Sequence, residues 1–284
     1  MTALIGGLLA ALFFAGSTLG SARSTRMIGA MPALGGVLLV SALVAAPIVL
    51  VTTAGSPVPT DDWLWLLLSG AGNVGGLLFE YVGLRTGKVG LVASLAATEG
   101  AVAALFAVIG GEELAPLVGV GVAIVAVGVV VTAFAPDPDT PAAGARRLRW
   151  ALFFGALAGL SFGASLYATG RLGASLPLGW ALVPPRIVGV AAITLPLLAT
   201  SRLRVTRPSL PFVVLSGACE VGGFLSYAWG AGGGIAVSSA LAAQFASIAA
   251  LGAWFLFGER LSRRQWAGVA SVALGVVILA AGSG

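Results

Sequence analysis

Apolar residues run along this chain in long blocks, each close to the roughly 20 residues that a helix needs to cross the ~30 Å hydrocarbon core of a bilayer. Ten such blocks stand out, near 2 to 20, 31 to 53, 63 to 84, 89 to 109, 114 to 134, 149 to 170, 178 to 200, 209 to 230, 235 to 257 and 263 to 282. Short polar connections separate them. The longest, APDPDTPAAGARR near 135 to 147, has the Pro/Asp/Ala composition of a linker.

The pattern is also written twice. Residues 258 to 281 (GERLSRRQWAGVASVALGVVILAA) match residues 111 to 134 (GEELAPLVGVGVAIVAVGVVVTAF) at 12 of 24 positions, at a constant offset of 147. At the same offset LSGAGNVGGLL, 68 to 78, matches LSGACEVGGFL, 215 to 225, at 8 of 11 positions. The first block aligns with the sixth through Gly7/Gly155, Leu9/Leu157, Ala10/Ala158, Leu12/Leu160, Phe14/Phe162 and Ser17/Ser165. It also lacks the basic start of a signal peptide, so it belongs to the fold. The pattern predicts a five-helix repeat over 1–135, a linker over 136–147 and a second five-helix repeat over 148–284. An odd number of spans in each copy forces the second copy into the bilayer upside down, and inverted repeats of this kind are an architecture of secondary transporters.

Composition agrees with the pattern. With 58% hydrophobic and 9% charged residues and a mean hydropathy of +1.05, the chain is far from a soluble domain, whose charged fraction is about a quarter. The predicted class is an all-α integral membrane protein of ten transmembrane helices. The single cysteine, Cys219, lies mid-span and leaves no disulfide framework. The net charge of +5 is strongly one-sided. Thirteen basic residues (Arg23, Arg26, Arg85, Lys88, Arg146, Arg147, Arg149, Arg202, Arg204, Arg207, Arg260, Arg263, Arg264) fall in connections on one side, and Arg171 alone on the other. Basic loops resist translocation, so the rich side is expected in the cytoplasm and both termini outside it. Trp63, Trp65, Trp150, Trp180 and Trp266 stand at span starts, as interfacial anchors do.

A Gly-Glu opens the last span of each half (Gly111-Glu112, Gly258-Glu259), followed by a Gly/Ala/Val-rich helix. With ten spans in two halves, this resembles the EamA-like families of the drug/metabolite transporter superfamily. The resemblance implies a multi-pass protein of the plasma (cell inner) membrane that carries amino acids, other metabolites or drugs. It also implies cytoplasmic termini, against the charge count. Members often carry a proline midway along the fourth span of each half, where Gly100 and Ala246 stand here.

Without a hydrophobic force between helices in lipid, spans associate by close backbone approach, which favours small residues. Gly70, Gly72, Gly75 and Gly76, echoed by Gly217, Gly222 and Gly223, are read as packing positions. Pro184-Pro185 is expected to kink the seventh span or delay its start. Glu112 and Glu259, at an interface, are expected to fix a loop or helix start.

Ionisable groups inside spans cost about 2.5 to 3.5 kcal/mol on insertion scales and mark functional candidates. Glu99 and Glu220 lie near span midpoints, Arg186 about a third of the way along its span, and Glu80 within two turns of the basic side. Within the repeated LSGA..VGG block the differing pair is Gly72-Asn73 against Cys219-Glu220, and seven residues on, Glu80 aligns with Tyr227. That spacing keeps each pair on one helical face. Glu99 aligns with Phe245, and Arg186 with an apolar position near Val37. The candidate binding set is Glu99, Glu220, Arg186, Asn73, Glu80, Tyr227, Gln244, Tyr167 and Trp229. Arg186 either neutralises Glu99 or Glu220 in a fixed ion pair or meets a substrate carboxylate. A carboxyl left unpaired in an apolar medium can bind and release a proton.

The leading expectation is a secondary transporter of a small metabolite or drug, amino-acid-like or cationic and amphipathic, with proton coupling through Glu99 or Glu220. A passive facilitator of the same fold is the alternative, and an intramembrane enzyme a weaker one. The chain has no histidine and no Walker loop. No cofactor, metal or nucleic-acid partner is expected; the partners are a small-molecule substrate and the lipid bilayer, with monomer and homodimer both open.

Overall fold

In lipid every backbone N–H and C=O must be satisfied within the protein, so uninterrupted apolar blocks become helices. The structure, a computed structural model, describes residues 1–54, 56, 62–86, 89–133, 145–257 and 263–282, and these are helical apart from short connections. The helices are α1 (Thr2–Ile28), α2 (Ala30–Thr52), α3 (Trp63–Thr86), α4 (Val89–Ala96), α5 (Glu99–Ile109), α6 (Pro116–Ala133), α7 (Ala145–Ser175), α8 (Val183–Gly189), α9 (Leu195–Ala199), α10 (Leu210–Ala231), α11 (Ile235–Ala242), α12 (Phe245–Phe257) and α13 (Arg263–Gly282). Six stretches among the described residues are long and apolar enough to cross a membrane: Thr2–Ile28, Ala30–Thr52, Arg149–Gly173, Leu178–Ala199, Leu210–Ala231 and Ile235–Leu256. The other four expected spans fall on α3, on α4 with α5, on α6 and on α13. Gly258-Glu259 and most of the 136–147 linker lie outside the described residues.

The outward faces are apolar. Val51 is 81% exposed and Phe255 77%, a surface suited to lipid and costly in water.

Two expected spans are each broken into two helices, at matching places. Between α4 and α5, the Thr98 N–H donates to Leu95 O (3.1 Å) and the Gly100 N–H to Ala97 O (3.3 Å). Between α11 and α12, the Gln244 N–H donates to Leu241 O (3.0 Å) and the Ala246 N–H to Ala243 O (3.4 Å). Both breaks are single turns tightened to three-residue hydrogen bonds, and both form without proline. They also touch: a Cβ on Gly100 would lie 2.6 Å from Ala243 Cβ.

The seventh expected span starts late. A 3₁₀ turn, Leu178–Ala181, precedes α8, which places Pro184 and Pro185 in its first turn, where a missing N–H breaks no helical bond. A π turn, Val190–Thr194, follows before α9, whose Pro196 again lacks a donor.

Packing crosses between the two halves in a swapped pattern. Helix α1 lies along α10 and α3 along α7, α2 packs on α10 and α8 on α3, and α6 lies along α13. Glycine permits the closest of these approaches. A Cβ on Gly76 would overlap the Phe162 ring, and one on Gly223 the Phe14 ring; these are corresponding residues of the aligned blocks. A Cβ on Gly72 would lie 2.8 Å from Ser161 O.

Glu112 fixes a helix start in the other half. Its carboxylate accepts the backbone N–H groups of Ile235 and Ala236, both at 3.1 Å, capping two of the donors left free at the beginning of α11. Gly111 (φ 94°) turns the chain toward this contact, and Gly234 (φ 139°) directs the opening of α11.

Two predictions follow from this packing. Gly76→Ala and Gly223→Ala should each cost about 1–3 kcal/mol through overpacking. Gly119→Ala, where a Cβ meets nothing within 4 Å, should be neutral or stabilising by up to ~1 kcal/mol. Thermal unfolding of the purified protein in detergent checks the ranking. Glu112→Ala should cost about 1–3 kcal/mol by leaving two donors without their acceptor, and Glu112→Gln, which keeps one acceptor oxygen, should cost less in the same assay.

Candidate functional site

The swapped packing brings α1, α3, α5, α7, α10 and α12 around one small interior cavity of about 30 Å³, room for a water molecule or two. Its polar wall is formed by Ser17, Thr18, Asn73, Glu80, Glu99, Ser165 and Glu220. Its apolar wall is Phe14, Leu77, Phe162, Leu166, Phe224 and Phe245. Phe14 stands edge-on to both Phe224 (5.9 Å between centroids) and Phe245 (6.4 Å), so three rings close one side of the space.

The carboxyl groups differ in how firmly they are held. Glu220 accepts from Asn73 Nδ2 on one oxygen (3.1 Å) and from Ser17 Oγ on the other (3.4 Å). Asn73 and Glu220 are aligned positions of the duplicated block, 147 residues apart. Glu80 accepts from Thr18 Oγ1 at 3.1 Å. Below it Tyr81, fully buried, shares a 2.6 Å hydrogen bond with Ser21, and Ser216 Oγ donates to Ser17 O (3.0 Å). These bonds tie α1 to α3 and α10. Glu99, the first residue of α5, lines the cavity and is 4% exposed; its carboxyl has no hydrogen-bond partner among the described residues.

Glu80 is buried within the protein. The expected first span ends near residue 20, whereas α1 continues to Ile28 and α3 to Thr86, which leaves Glu80 covered and 5% exposed.

Arg186 occupies the first turns of α8 and is 6% exposed. No fixed hydrogen-bonded ion pair with Glu99 or Glu220 is present: Nε, Nη1 and Nη2 are all buried without a hydrogen-bond partner. The guanidinium carbon instead lies 5.1 Å from the centroid of Phe224, on a ring that lines the cavity.

The other candidates are placed elsewhere. Tyr227 is fully buried and donates to Leu166 O at 2.9 Å, joining α10 to α7. Gln244 lies in the α11–α12 break, where Nε2 donates to Ala240 O (2.9 Å) and Oε1 is buried without a partner. Tyr167 lines a separate space of about 170 Å³ with Gly110, Glu112, Arg171 and Ile235, edge-on to Trp65. Trp229 is 44% exposed. Thr18 and the rings of Phe14, Phe162, Phe224 and Phe245 join the site without a sequence signal that sets them apart from packing residues; the alignment of Glu99 with Phe245 was the nearest to one.

Two comparisons with known proteins bear on this arrangement. The chain is similar to a protein of known crystal structure with a TM-score of 0.73 at 17% identity, over 98% of this chain and 95% of that one. The likeness extends to the fold. No curated protein sequence matches. The family model of the EamA-like transporters matches residues 1–134. Over those residues this integral, multi-pass membrane protein matches the EamA-like transporter family of the drug/metabolite transporter superfamily.

Proposed function

We propose that the chain is a secondary transporter of a small amphipathic metabolite or drug, built as ten spans in two inverted five-helix repeats (1–135 and 148–284) that close around the acidic cavity. The observation that carries this reading is the cavity itself, lined from both halves by three buried carboxyl groups. The swapped packing of α1 on α10 and α3 on α7 supports the inverted arrangement. So do the matched breaks at 97–98 and 243–244, since secondary transporters commonly place discontinuous helices at their binding sites.

A cavity of about 30 Å³ is far below the ~300 Å³ or more of a ligand site, so cargo entry requires the halves to move. Alternating access supplies that motion. Breaking the Glu112 cap on α11 on one side, and separating the rings of Phe14, Phe224 and Phe245, are the local events that opening demands.

Proton coupling is assigned to the carboxyls, among which we favour Glu99. Glu220 and Glu80 are held by donors, an arrangement suited to a fixed charge, whereas Glu99 is unheld and stands beside a helix break. Three carboxyls and one guanidinium leave two uncompensated charges when all are ionised, so the site's charge responds to protons. An amino-acid-like or cationic cargo fits this acidic lining. A facilitator of the same fold would carry the same cargo without a response to a pH gradient, and the lack of histidine leaves little chemistry for an enzyme.

Metabolite comparison of cells with and without overexpression supplies the cargo for the decisive experiment, flux in proteoliposomes with and without an imposed pH gradient. Gradient-driven flux should exceed flux at equal pH, and Glu99→Gln should abolish the gradient response; Glu220→Gln should lower transport through loss of the held site. A full gradient response in both variants would sink the coupling assignment. For orientation, the excess of basic residues on one side supports a reading with both termini outside the cytoplasm in the plasma membrane. A C-terminal reporter active only outside the cytoplasm should therefore be active, and activity of a cytoplasm-only reporter would reverse the orientation.

A further inference from the structure

Resting on the transporter reading, we propose that Arg186 is the docking point for a carboxylate of the cargo, screened from the acidic cavity by the Phe224 ring, so that the cargo is a small amino acid rather than a simple amine. A guanidinium taken out of water into a bundle costs several kcal/mol unless hydrogen bonds and a counter-charge replace its hydration. Here none of its three nitrogens has a hydrogen-bond partner, and the residue is 6% exposed. Glu220, the carboxylate near enough to act on it electrostatically, has its oxygens engaged by Asn73 (3.1 Å) and Ser17 (3.4 Å). What holds the guanidinium is the face of Phe224, 5.1 Å from Cζ to centroid, a contact that satisfies the charge in part and leaves the N–H donors free.

Phe224 also lines the cavity. The ring therefore stands between a cation without hydrogen bonds and a space bounded by Glu80, Glu99 and Glu220. Turning the ring aside joins the two into a single site with a cationic end and an acidic end, separated by apolar walls. The planar fork of arginine matches a carboxylate through two parallel hydrogen bonds. A doubly charged phosphate calls for more donors than one guanidinium supplies. The acidic end, with Glu99 unheld, suits an ammonium group. Phe14 and Phe245, edge-on to each other at 6.4 Å, bound the space left for a short apolar side chain.

The test measures binding, independently of transport, on the full chain purified in detergent. The probes are L-leucine, 4-methylpentanoate (the same skeleton without the amine) and 3-methylbutylamine (without the carboxylate), with inorganic phosphate for comparison. Leucine and 4-methylpentanoate should raise the unfolding temperature in a saturable way, and the amine and phosphate should shift it less. Arg186→Gln should weaken carboxylate binding at least tenfold, and Arg186→Lys, which keeps the charge and loses the fork, should fall between. Phe224→Ala, which removes the screen, should bind 4-methylpentanoate more tightly than the unaltered chain.

Absence of binding by both carboxylates overturns the proposal, as does an amine that binds as well as leucine, phosphate that binds better than 4-methylpentanoate, or equal carboxylate affinity in the Arg186 variants. Should Arg186→Gln fail to fold, Arg186→Lys and Phe224→Ala decide: unchanged affinity in both overturns it. Carboxylate binding through Arg186 without flux would defeat the transporter reading alone, and gradient-driven flux of an amine that is indifferent to Arg186 would defeat this inference alone.

Discussion

The 3.1 Å hydrogen bond from Asn73 to Glu220 is the contact on which the centre of this protein depends. It joins two aligned positions of a duplicated block, so the helices that carry them, α3 and α10, meet at the same level of each. Direct contact between two aligned positions is what the proposed two-fold relation between the halves would produce, as in an isologous interface. The two side chains bridge helices that do not lie along each other, since α3 packs along α7 and α10 along α1, and small residues set those two approaches. Gly76 and Gly223 each leave room for a ring, Phe162 and Phe14, from the opposite half. Those rings then line the cavity beside the carboxylate that Asn73 holds.

The same close packing explains why the site is divided into held and unheld groups. Hydrogen bonds between spans in lipid contribute modestly, about 0.6 kcal/mol on average, yet an unmade bond at a buried polar group costs more than a made one contributes. On the continuous helices α1, α3 and α10 the polar side chains around the cavity are therefore mutually satisfied: Ser17 and Asn73 on Glu220, Thr18 on Glu80, Ser21 on Tyr81. Each of these bonds is also a tie between helices.

Much of this was legible in the sequence, for a physical reason. Where one scaffold is written twice, positions that serve packing stay alike and positions that serve chemistry are free to differ, which singled out Asn73, Glu220, Glu99 and Glu80. Depth and partnership were less legible. That Thr18 of α1 would hold Glu80 was not visible, because the apolar block of the first span ends near residue 20 and its helix runs on to Ile28. Tyr167 and Trp229 were chosen for type and position along a span, but which face of a helix they occupy depends on neighbours that periodicity alone does not specify in a bundle apolar on all sides. The helix breaks carried no proline to mark them; Ala97-Thr98 and Ala243-Gln244 are ordinary helix residues, and it is the contact of Gly100 with Ala243 that sets two turns against each other. That Glu112 starts a helix was expected, but its partner lies 123 residues away in the other half.

Apart from Thr25 on α1, the buried polar groups described without hydrogen bonds stand on the interrupted elements. Glu99 opens α5 after one break, Gln244 sits in the other with Oε1 unpaired, and Arg186 lies in the short helix between a 3₁₀ turn and a π turn. A continuous helix holds its side chains in a fixed relation, because moving one moves the whole rod. A half-helix is anchored along only part of its length and shifts at a lower cost, and a π turn likewise absorbs a change of register. In a transporter that opens to either side, as proposed above, fixed chemistry belongs on the rods and exchangeable chemistry on the broken segments. Such a division lets the unheld groups exchange partners with a cargo or a proton while Asn73 and Glu220 keep the two halves in register.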